Sequence, residues 1–345
     1  MSTAVPRRFP LADWIDAHPE CRFDLATSGM VGSIPPVPWP PRRPAPDAPE
    51  LLRGRLADHL GVAPGRLFLA HGASEANAWV LGHLAREASR AGRTPILRVA
   101  YPEYPPLVDV GRTLGHVVRR GRAPAEVAAI SRPRNPEGDL WSEERVRRFA
   151  DGARHLVVDE TFREFADVPS MAAPGTPRVW VTGSFTKFYG ADAARVGFAV
   201  APPDVPARFV RYVGLVSNKL APGSAAIALA LLRRHAGVRR AVRAVVDRNR
   251  RALRAACPRL PRPVAPLFLD RLERTDGADL ARRCLAASVL VSPGGFFGAP
   301  RGVRVCLTRR SFPEGLRAYL AVRGRAEGRP SARTPRVEPL DGAPG

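Results

Sequence analysis

The most informative part of this chain is the stretch Arg178-Val-Trp-Val-Thr182-Gly-Ser184-Phe-Thr-Lys187-Phe-Tyr-Gly-Ala-Asp-Ala-Ala-Arg195-Val-Gly197. Its first residues, Arg178 to Thr182, predict a buried strand, and a short polar turn that contains Lys187 follows. Only two of the 54 lysine and arginine residues in the chain are lysines. A lysine amine can lose its proton and attack a carbonyl carbon, whereas a guanidinium cannot. Lys187 is therefore a candidate nucleophile, although codon usage that favours arginine also explains why lysine is rare.

The pattern Ser184-x-x-Lys187 followed by Arg195-x-Gly197 resembles the Schiff-base segment of fold type I pyridoxal-phosphate (PLP) enzymes, the aminotransferase superfamily. In that family the lysine binds the aldehyde of the cofactor, and the serine and arginine hold its phosphate. The resemblance implies pyridoxal 5'-phosphate as the cofactor. It also implies that the rest of the cofactor site lies upstream in a fixed order.

Two upstream segments match that order. His155-Leu-Val-Val-Asp159 is an apolar strand that ends in a carboxylate, where the family places the aspartate that keeps the ring nitrogen protonated. The alternative for Asp159 is a cap at a strand end. Asn135, in Asn-Pro-Glu-Gly138, matches the family residue that donates to the phenolic oxygen of the ring, although this tetrapeptide alone is a common turn signal.

The anion site and the ring-stacking residue are predicted further upstream. Gly72, Ala73 and Ser74 follow the strand Arg66–Ala70 and open a helix, and backbone N–H groups at such a helix start bind phosphate. Tyr104, after the strand 95–100, resembles the aromatic residue that stacks on the cofactor ring. Plain packing is the alternative for this tyrosine.

The substrate side is predicted near the other end of the chain. Pro293-Gly-Gly-Phe-Phe-Gly298, followed by the strand 303–307, resembles a family element with one inward arginine. Arg304 would hold the substrate α-carboxylate through two parallel hydrogen bonds. Without the preceding element, a solvated arginine would be the default interpretation.

The chain departs from the family at three places. Phe162 stands where aminotransferases usually have a tyrosine that donates to the ring oxygen, and losing that donor raises the pKa of the imine. This phenylalanine resembles the decarboxylase side of the family. The segment around Gly29, the candidate substrate contact, lacks the usual asparagine before a proline. Arg43 stands where a family tyrosine reaches the cofactor phosphate of the partner subunit. It would hold that phosphate, or bind an acidic group of the substrate, across the dimer. A solvated charge is the alternative for Arg43, and Trp39 offers a competing alignment of the arm.

The predicted fold class is α/β. The resemblance implies the PLP-dependent transferase-like fold, with a large domain built on a mostly parallel seven-stranded sheet flanked by helices and a smaller α+β domain. We expect residues 1–49 to form an N-terminal arm of the small domain, 50–234 the large domain and 235–322 the small domain. Residues 323–345 are expected to be a disordered basic tail. Helices are predicted over 142–153 and 239–256.

Charge and cysteines set further limits. The formal net charge is +22, which allows nucleic-acid binding, but the arginines are spread along the chain and no basic stripe or DNA-reading module is recognisable. Biased codon usage is the favoured account of this charge, and attraction of an anionic substrate comes next.

The four cysteines have no paired spacing, and no membrane span or signal peptide is recognisable, so a cytoplasmic location is expected. No residues have metal-ligand spacing.

The predicted function is therefore a PLP-dependent aminotransferase that acts on an amino acid or related primary amine, with a 2-oxo acid as acceptor. The resemblance is closest to histidinol-phosphate aminotransferases and threonine-phosphate decarboxylases, and it implies a homodimer with shared active sites. A decarboxylase of an amino acid, including a phosphorylated one, or another lyase is the first alternative. A catalytically silent PLP-fold binding protein is the second.

Overall fold

A computed structural model describes residues 10–36, 43–121, 123–172, 176–204, 206–260 and 262–328. Trp39 and residues 329–345 of the predicted tail lie outside these ranges. The strands are β1 Phe23–Asp24, β2 Leu67–Ala70, β3 Ile96–Val99, β4 Val117–Arg119, β5 Ala125–Ser131, β6 Ala153–Asp159, β7 Val179–Ser184, β8 Gly197–Val200, β9 Leu267–Arg271, β10 Val289–Leu290, β11 Ser292–Pro293 and β12 Gly302–Cys306.

Helices separate most of the first eight strands, and three consecutive helices precede the last four strands. They are α1 Pro10–Asp16, α2 Ala48–Leu60, α3 Ala73–Arg90, α4 Pro105–Thr113, α5 Glu143–Ala150, α6 Arg163–Ala166, α7 Ala207–Val216, α8 Pro222–Arg233, α9 His235–Ala256, α10 Gly277–Ala286 and α11 Phe312–Ala326, with short 3₁₀ helices at Pro64–Arg66 and Gly294–Phe297.

A seven-stranded sheet forms the centre of the fold, in the order β2-β8-β7-β6-β5-β3-β4. The five strands from β7 to β4 are parallel to their neighbours, and β8 is antiparallel to both β7 and β2. In register, Ser131 on β5 pairs with Asp159 on β6, which pairs with Thr182 on β7. The carboxyl ends of three central strands therefore meet at one edge, where ligands bind in open parallel sheets.

The apolar residues of the central strands explain why these strands lie in the middle of the sheet, covered on both faces. All seven residues of β5 are buried, and successive side chains point to opposite faces of the sheet. Ala128 and Ile130 pack on the side covered by α2, α8 and α9, whereas Val127 and Ala129 pack on the side covered by α3, α4 and α7. Helices on both faces of a mostly parallel sheet confirm the predicted α/β fold class.

A second layer is antiparallel. Strands β11, β12 and β9 form a three-stranded sheet, and β1 pairs with β10 beside it. Leu25, Val303, Val305 and Tyr319 lie in a core with residues of α10 and α11. Because β1 joins this layer, the residues that follow it, 25–30, pass close to β12 and to the edge of the central sheet.

Two predicted boundaries are wrong. The helix predicted over 142–153 ends at Ala150, and β6 already begins at Ala153, because Gly152 adopts φ +74° and turns the chain. Residues 323–326, expected to belong to the tail, are part of α11, which ends at Ala326. Arg323, in the last turn of α11, pairs with the buried Asp270 of β9 at 2.5 Å, and this contact holds the end of the helix against the three-stranded sheet.

Candidate active site

A cavity of about 470 Å³ opens at the carboxyl edge of β5, β6 and β7, between the central sheet, α1 and β12. Its volume falls in the roughly 300–1,000 Å³ range of small-molecule sites. All predicted site residues except Gly29 and Arg43 line it: Gly72, Ala73, Ser74, Tyr104, Asn135, Asp159, Phe162, Ser184, Lys187, Arg195 and Arg304. Residues that are far apart in sequence thus meet in one place, as the motif order predicted.

Lys187 follows β7 and extends into this cavity. Burial lowers the pKa of its ammonium, and the nearby Arg304 and Arg195 lower it further, while Asp192 acts in the opposite direction. A lowered pKa increases the fraction of neutral amine, which is the nucleophilic form. Gly29 lies beside the lysine, since a Cβ at Gly29 would be 3.7 Å from Lys187 Cδ.

The Asp159 carboxylate is held at the end of β6 by two donors. Asn77 Nδ2 donates to Oδ2 at 3.0 Å, and the backbone N–H of Thr161 donates to Oδ1 at 2.9 Å. Thr182 in turn donates to Asn77 Oδ1 at 2.6 Å, so the amide orientation is fixed. The sequence interpretation missed both residues, because Asn77 reaches Asp159 from α3 and Thr182 reaches Asn77 from β7.

A buried carboxylate organises the loops around Tyr104 and Asn135. Glu103 accepts hydrogen bonds from the backbone N–H of Tyr104 (2.7 Å), the backbone N–H of Ser131 (3.0 Å) and the Ser131 hydroxyl (2.5 Å). Ser131 Oγ accepts from the Asn135 backbone N–H at 2.9 Å. Burial raises the pKa of Glu103 to about 7, against the opposing effect of the Ser131 hydrogen bond. Burial also raises the pKa of Tyr104, to about 12.

The predicted phosphate turn lies between β2 and α3. Gly72 adopts φ +107°, a conformation that favours glycine, and the first turn of α3 begins at Ala73. Arg195 approaches this turn, with Nη2 3.4 Å from the carbonyl oxygen of His71. Ser184 and Thr186 share a hydrogen bond of 2.8 Å between their hydroxyl groups. Backbone donors, hydroxyls and a guanidinium thus line the same cavity, and such a set of groups suits an anion.

Arg304 lies buried on β12 with its guanidinium above the Phe297 ring at 4.8 Å. It donates to Asn135 Oδ1 at 3.2 Å and to the Ala26 carbonyl at 2.7 Å. Its Nε atom is buried and has no hydrogen-bond partner among the described residues. The arginine is therefore anchored on two sides and keeps donor capacity for a ligand.

Arg43, by contrast, is exposed and does not line the cavity of its own chain. The structure also adds residues that the sequence interpretation missed: Leu11, Ala12, Ile15 and Asp16 of α1, with Thr161 and Asp192. Asp192 stands within the segment quoted at the outset, but nothing in its local pattern indicated that it faces a cavity.

The residues present fit PLP. An amine with a lowered pKa, a carboxylate at a strand end and an anion site at a helix start line the same cavity. Thr161 Oγ1 is also buried and has no hydrogen-bond partner in the described ranges. This hydroxyl of the cavity wall is therefore available for a hydrogen bond to a ligand.

A cluster of possible metal ligands lies outside this cavity. Sequence spacing indicated none, yet the fold brings His59, Glu164 and His235 together, with their ligand atoms within 4.8 Å of one another. Arg163 pairs with Glu164, and its Nη2 lies 3.3 Å from His59 Nε2. A guanidinium thus already neutralises the carboxylate, and the cluster is an ion-pair network.

Comparisons with known proteins point to one family. The family model described as Aminotransferase class I and II matches residues 118–316. A histidinol-phosphate aminotransferase from Anaeromyxobacter sp. (strain Fw109-5) is 27% identical over 291 residues, which are 75% of this chain and 77% of that protein. A threonine-phosphate decarboxylase from Pseudomonas aeruginosa is 29% identical over 208 residues, 55% of this chain and 57% of that protein.

Solved structures show the same fold. A PLP-dependent aminotransferase from Streptococcus suis 89-1591 superposes with a TM-score of 0.76 at 18% identity, covering 93% of this chain and 98% of that chain. The PLP-dependent cyclase OrfR gives a TM-score of 0.72 at 24% identity, covering 93% and 99%. In the described parts of this chain, no helix has both the length and the apolar character needed to span a membrane.

Proposed function

Because the chain belongs to the aminotransferase class I and II family, we propose that it is a PLP-dependent aminotransferase acting on an amino acid or a related primary amine, with a 2-oxo acid as acceptor. One observation carries the proposal: Lys187, Asp159, Asn135, Arg195 and Arg304 line the same cavity, although they come from separate elements of the fold. A protein that only binds a partner has no need for this combination.

PLP, when bound, supplies a ring that accepts the electron pair released at the substrate α-carbon. Lys187 would hold the cofactor aldehyde. When free of the cofactor, its Nζ would move the substrate α-proton as general base and acid. Its lowered pKa keeps a fraction of the amine neutral for both tasks.

The other residues position these groups. Asp159 would keep the ring nitrogen of bound PLP protonated, and Asn77 and Thr161 hold the two Asp159 oxygens in place. Arg304 would hold the substrate carboxylate. The cofactor phosphate would be bound by Gly72, Ala73, Ser74, Ser184 and Arg195.

The ring face and the ring oxygen have their own contacts. Tyr104 would stack on the ring of bound PLP and Asn135 would donate to its oxygen, whereas Phe162 in the same cavity wall has no hydroxyl to donate. A homodimer with shared sites and a cytoplasmic location belong to the same proposal, and the exposed Arg43 is then available to a neighbouring subunit.

α-Decarboxylation is the second candidate. Phe162 is buried in the cavity wall, where it cannot supply the hydroxyl that aminotransferases usually have. One of the relatives is a threonine-phosphate decarboxylase. Either reaction would use the same residues, because in both PLP would supply a ring that accepts the electron pair released at the substrate α-carbon.

The test is an absorbance spectrum of the purified protein with PLP, followed by an amino-acid mixture with and without a 2-oxo acid. We expect a visible imine band that is absent in Lys187→Ala, and transfer of the amino group to the acceptor. Release of carbon dioxide without transfer would establish the decarboxylase instead. Absence of the band in the unmodified protein would refute both and favour a binding protein, which salt-dependent retention on DNA would then probe.

A further inference from the structure

Lys187 gains and loses a charge in the proposed reaction, and it does so in a poorly solvated cavity. When Nζ takes up a proton, it becomes an ammonium in surroundings that oppose this form. Burial has the largest effect on its pKa, and the guanidinium groups of Arg304 and Arg195 add to the lowering. Because a desolvated ammonium is costly without a compensating negative charge, the proton transfer favours a carboxylate close to the lysine.

Asp192 lies where it can supply that negative charge. A Cβ at Gly29 would be 3.5 Å from Asp192 Oδ2 and 3.7 Å from Lys187 Cδ, so the carboxylate and the lysine side chain border the same small space. Both residues also line the active-site cavity. The Asp192 Oδ2 atom is buried and has no hydrogen-bond partner among the described residues, so its charge is not taken up by a donor at that oxygen.

The other acidic groups of this region are already engaged or uncharged. Both oxygens of Asp159 accept hydrogen bonds, and Asp16 has an interaction of its own. Burial raises the pKa of the Cys306 thiol, and it raises the pKa of Tyr104 to about 12, so both are neutral at neutral pH. After burial, the charge of Asp192 has the largest effect on the pKa of Lys187, and it raises this pKa.

We propose that Asp192 is a positioning residue for the proton transfer: its carboxylate is the counter-ion of the Lys187 ammonium and holds the proton at Nζ until the lysine returns it. The proton stays on Nζ, and Asp192 acts through its charge, without contact with substrate or cofactor. This inference rests on the proposed function, because Asp192 acts only through Lys187.

The test uses the fact that Lys187 and Lys219 are the two lysines of the chain. Full-length protein without PLP is isotopically labelled at the lysine ε-carbon, and both signals are followed by NMR over a pH series. In Asp192→Asn the midpoint of the Lys187 titration should fall by about one pH unit or more, the usual effect of losing a close opposite charge. Lys219, exposed between α7 and α8, is the internal reference and should not change.

Matched variants separate charge from structure. Asp192→Glu keeps the carboxylate and should titrate closer to the unmodified protein than Asp192→Asn does. Asp109→Asn removes an exposed carboxylate on α4, which pairs with Arg112, and should leave the Lys187 midpoint unchanged. Circular dichroism checks that each variant is folded, and Asp192→Ala or Asp192→Ser provides the same comparison if Asp192→Asn is not.

Turnover with PLP bound provides the second measurement. The kcat of Asp192→Asn should fall about 10-fold while KM stays within about 2-fold, because the lost charge acts on proton transfer and not on binding. An unchanged Lys187 midpoint or an unchanged kcat in Asp192→Asn would overturn the inference and leave the proposed function intact. Absence of the imine band in the unmodified protein would overturn the proposed function, and the inference with it.

Discussion

Replacing Glu103 by glutamine should change how the stability of the protein depends on pH. Glu103 is 1% exposed and accepts three hydrogen bonds, two from Ser131 and one from the Tyr104 backbone. Glutamine has nearly the same shape but does not titrate. Its amide must also place N–H groups against one of these donors, which leaves a buried donor unpaired.

The sign and size follow from the pKa. Burial raises the pKa of Glu103 from 4.5 to about 7. The folded protein therefore binds the proton more tightly than the unfolded chain, and this contribution to stability is full below pH 4.5 and is lost as the pH rises through 7. The difference between the two pKa values corresponds to about 3 kcal/mol of unfolding free energy.

The measurement is a set of urea unfolding curves from pH 5 to pH 8 at one fixed PLP concentration, for the unmodified protein and for Glu103→Gln. Relative to the variant, the unmodified protein should lose roughly 2 to 3 kcal/mol across this range. A constant difference between the two proteins would refute the reasoning. The control variant is Glu126→Gln, because Glu126 is a buried carboxylate that pairs with Arg93 at the start of β5, away from the cavity. Only Glu103→Gln should alter the absorption band of bound PLP.

Three further variants test the cavity. Asn77→Ala removes a donor from Asp159 and should weaken PLP binding by about 10-fold, as for the loss of one hydrogen bond to a charge, measured by equilibrium dialysis; unchanged binding would contradict the orienting role. Gly197→Ala would place a Cβ 2.6 Å from Gly72 Cα, so the phosphate turn must shift, and inorganic phosphate should protect the variant less than the unmodified protein in thermal melts. Arg304→Lys keeps the charge but loses the paired donors, so the half-saturating amino-acid concentration should rise about 10-fold or more while the imine band stays.

The arrangement of the central strands was accessible from the sequence. Short apolar runs that each end in a polar residue predicted parallel strands, and the carboxyl ends of parallel strands share one edge. Ser131, Asp159 and Thr182 accordingly stand in register there. The resemblance to fold type I PLP enzymes indicated which side chains should meet, and all of them except Gly29 and Arg43 line one cavity.

Contacts that depend on distant elements were not accessible. Glu103 reads as an ordinary charged residue after a strand, and only the approach of β5 encloses it. The lining of the cavity by α1 depends on the bond from Trp14 to Val291, across 277 residues of sequence. The late end of α11 likewise depends on Asp270, which gives Arg323 a partner. No local periodicity encodes such pairings.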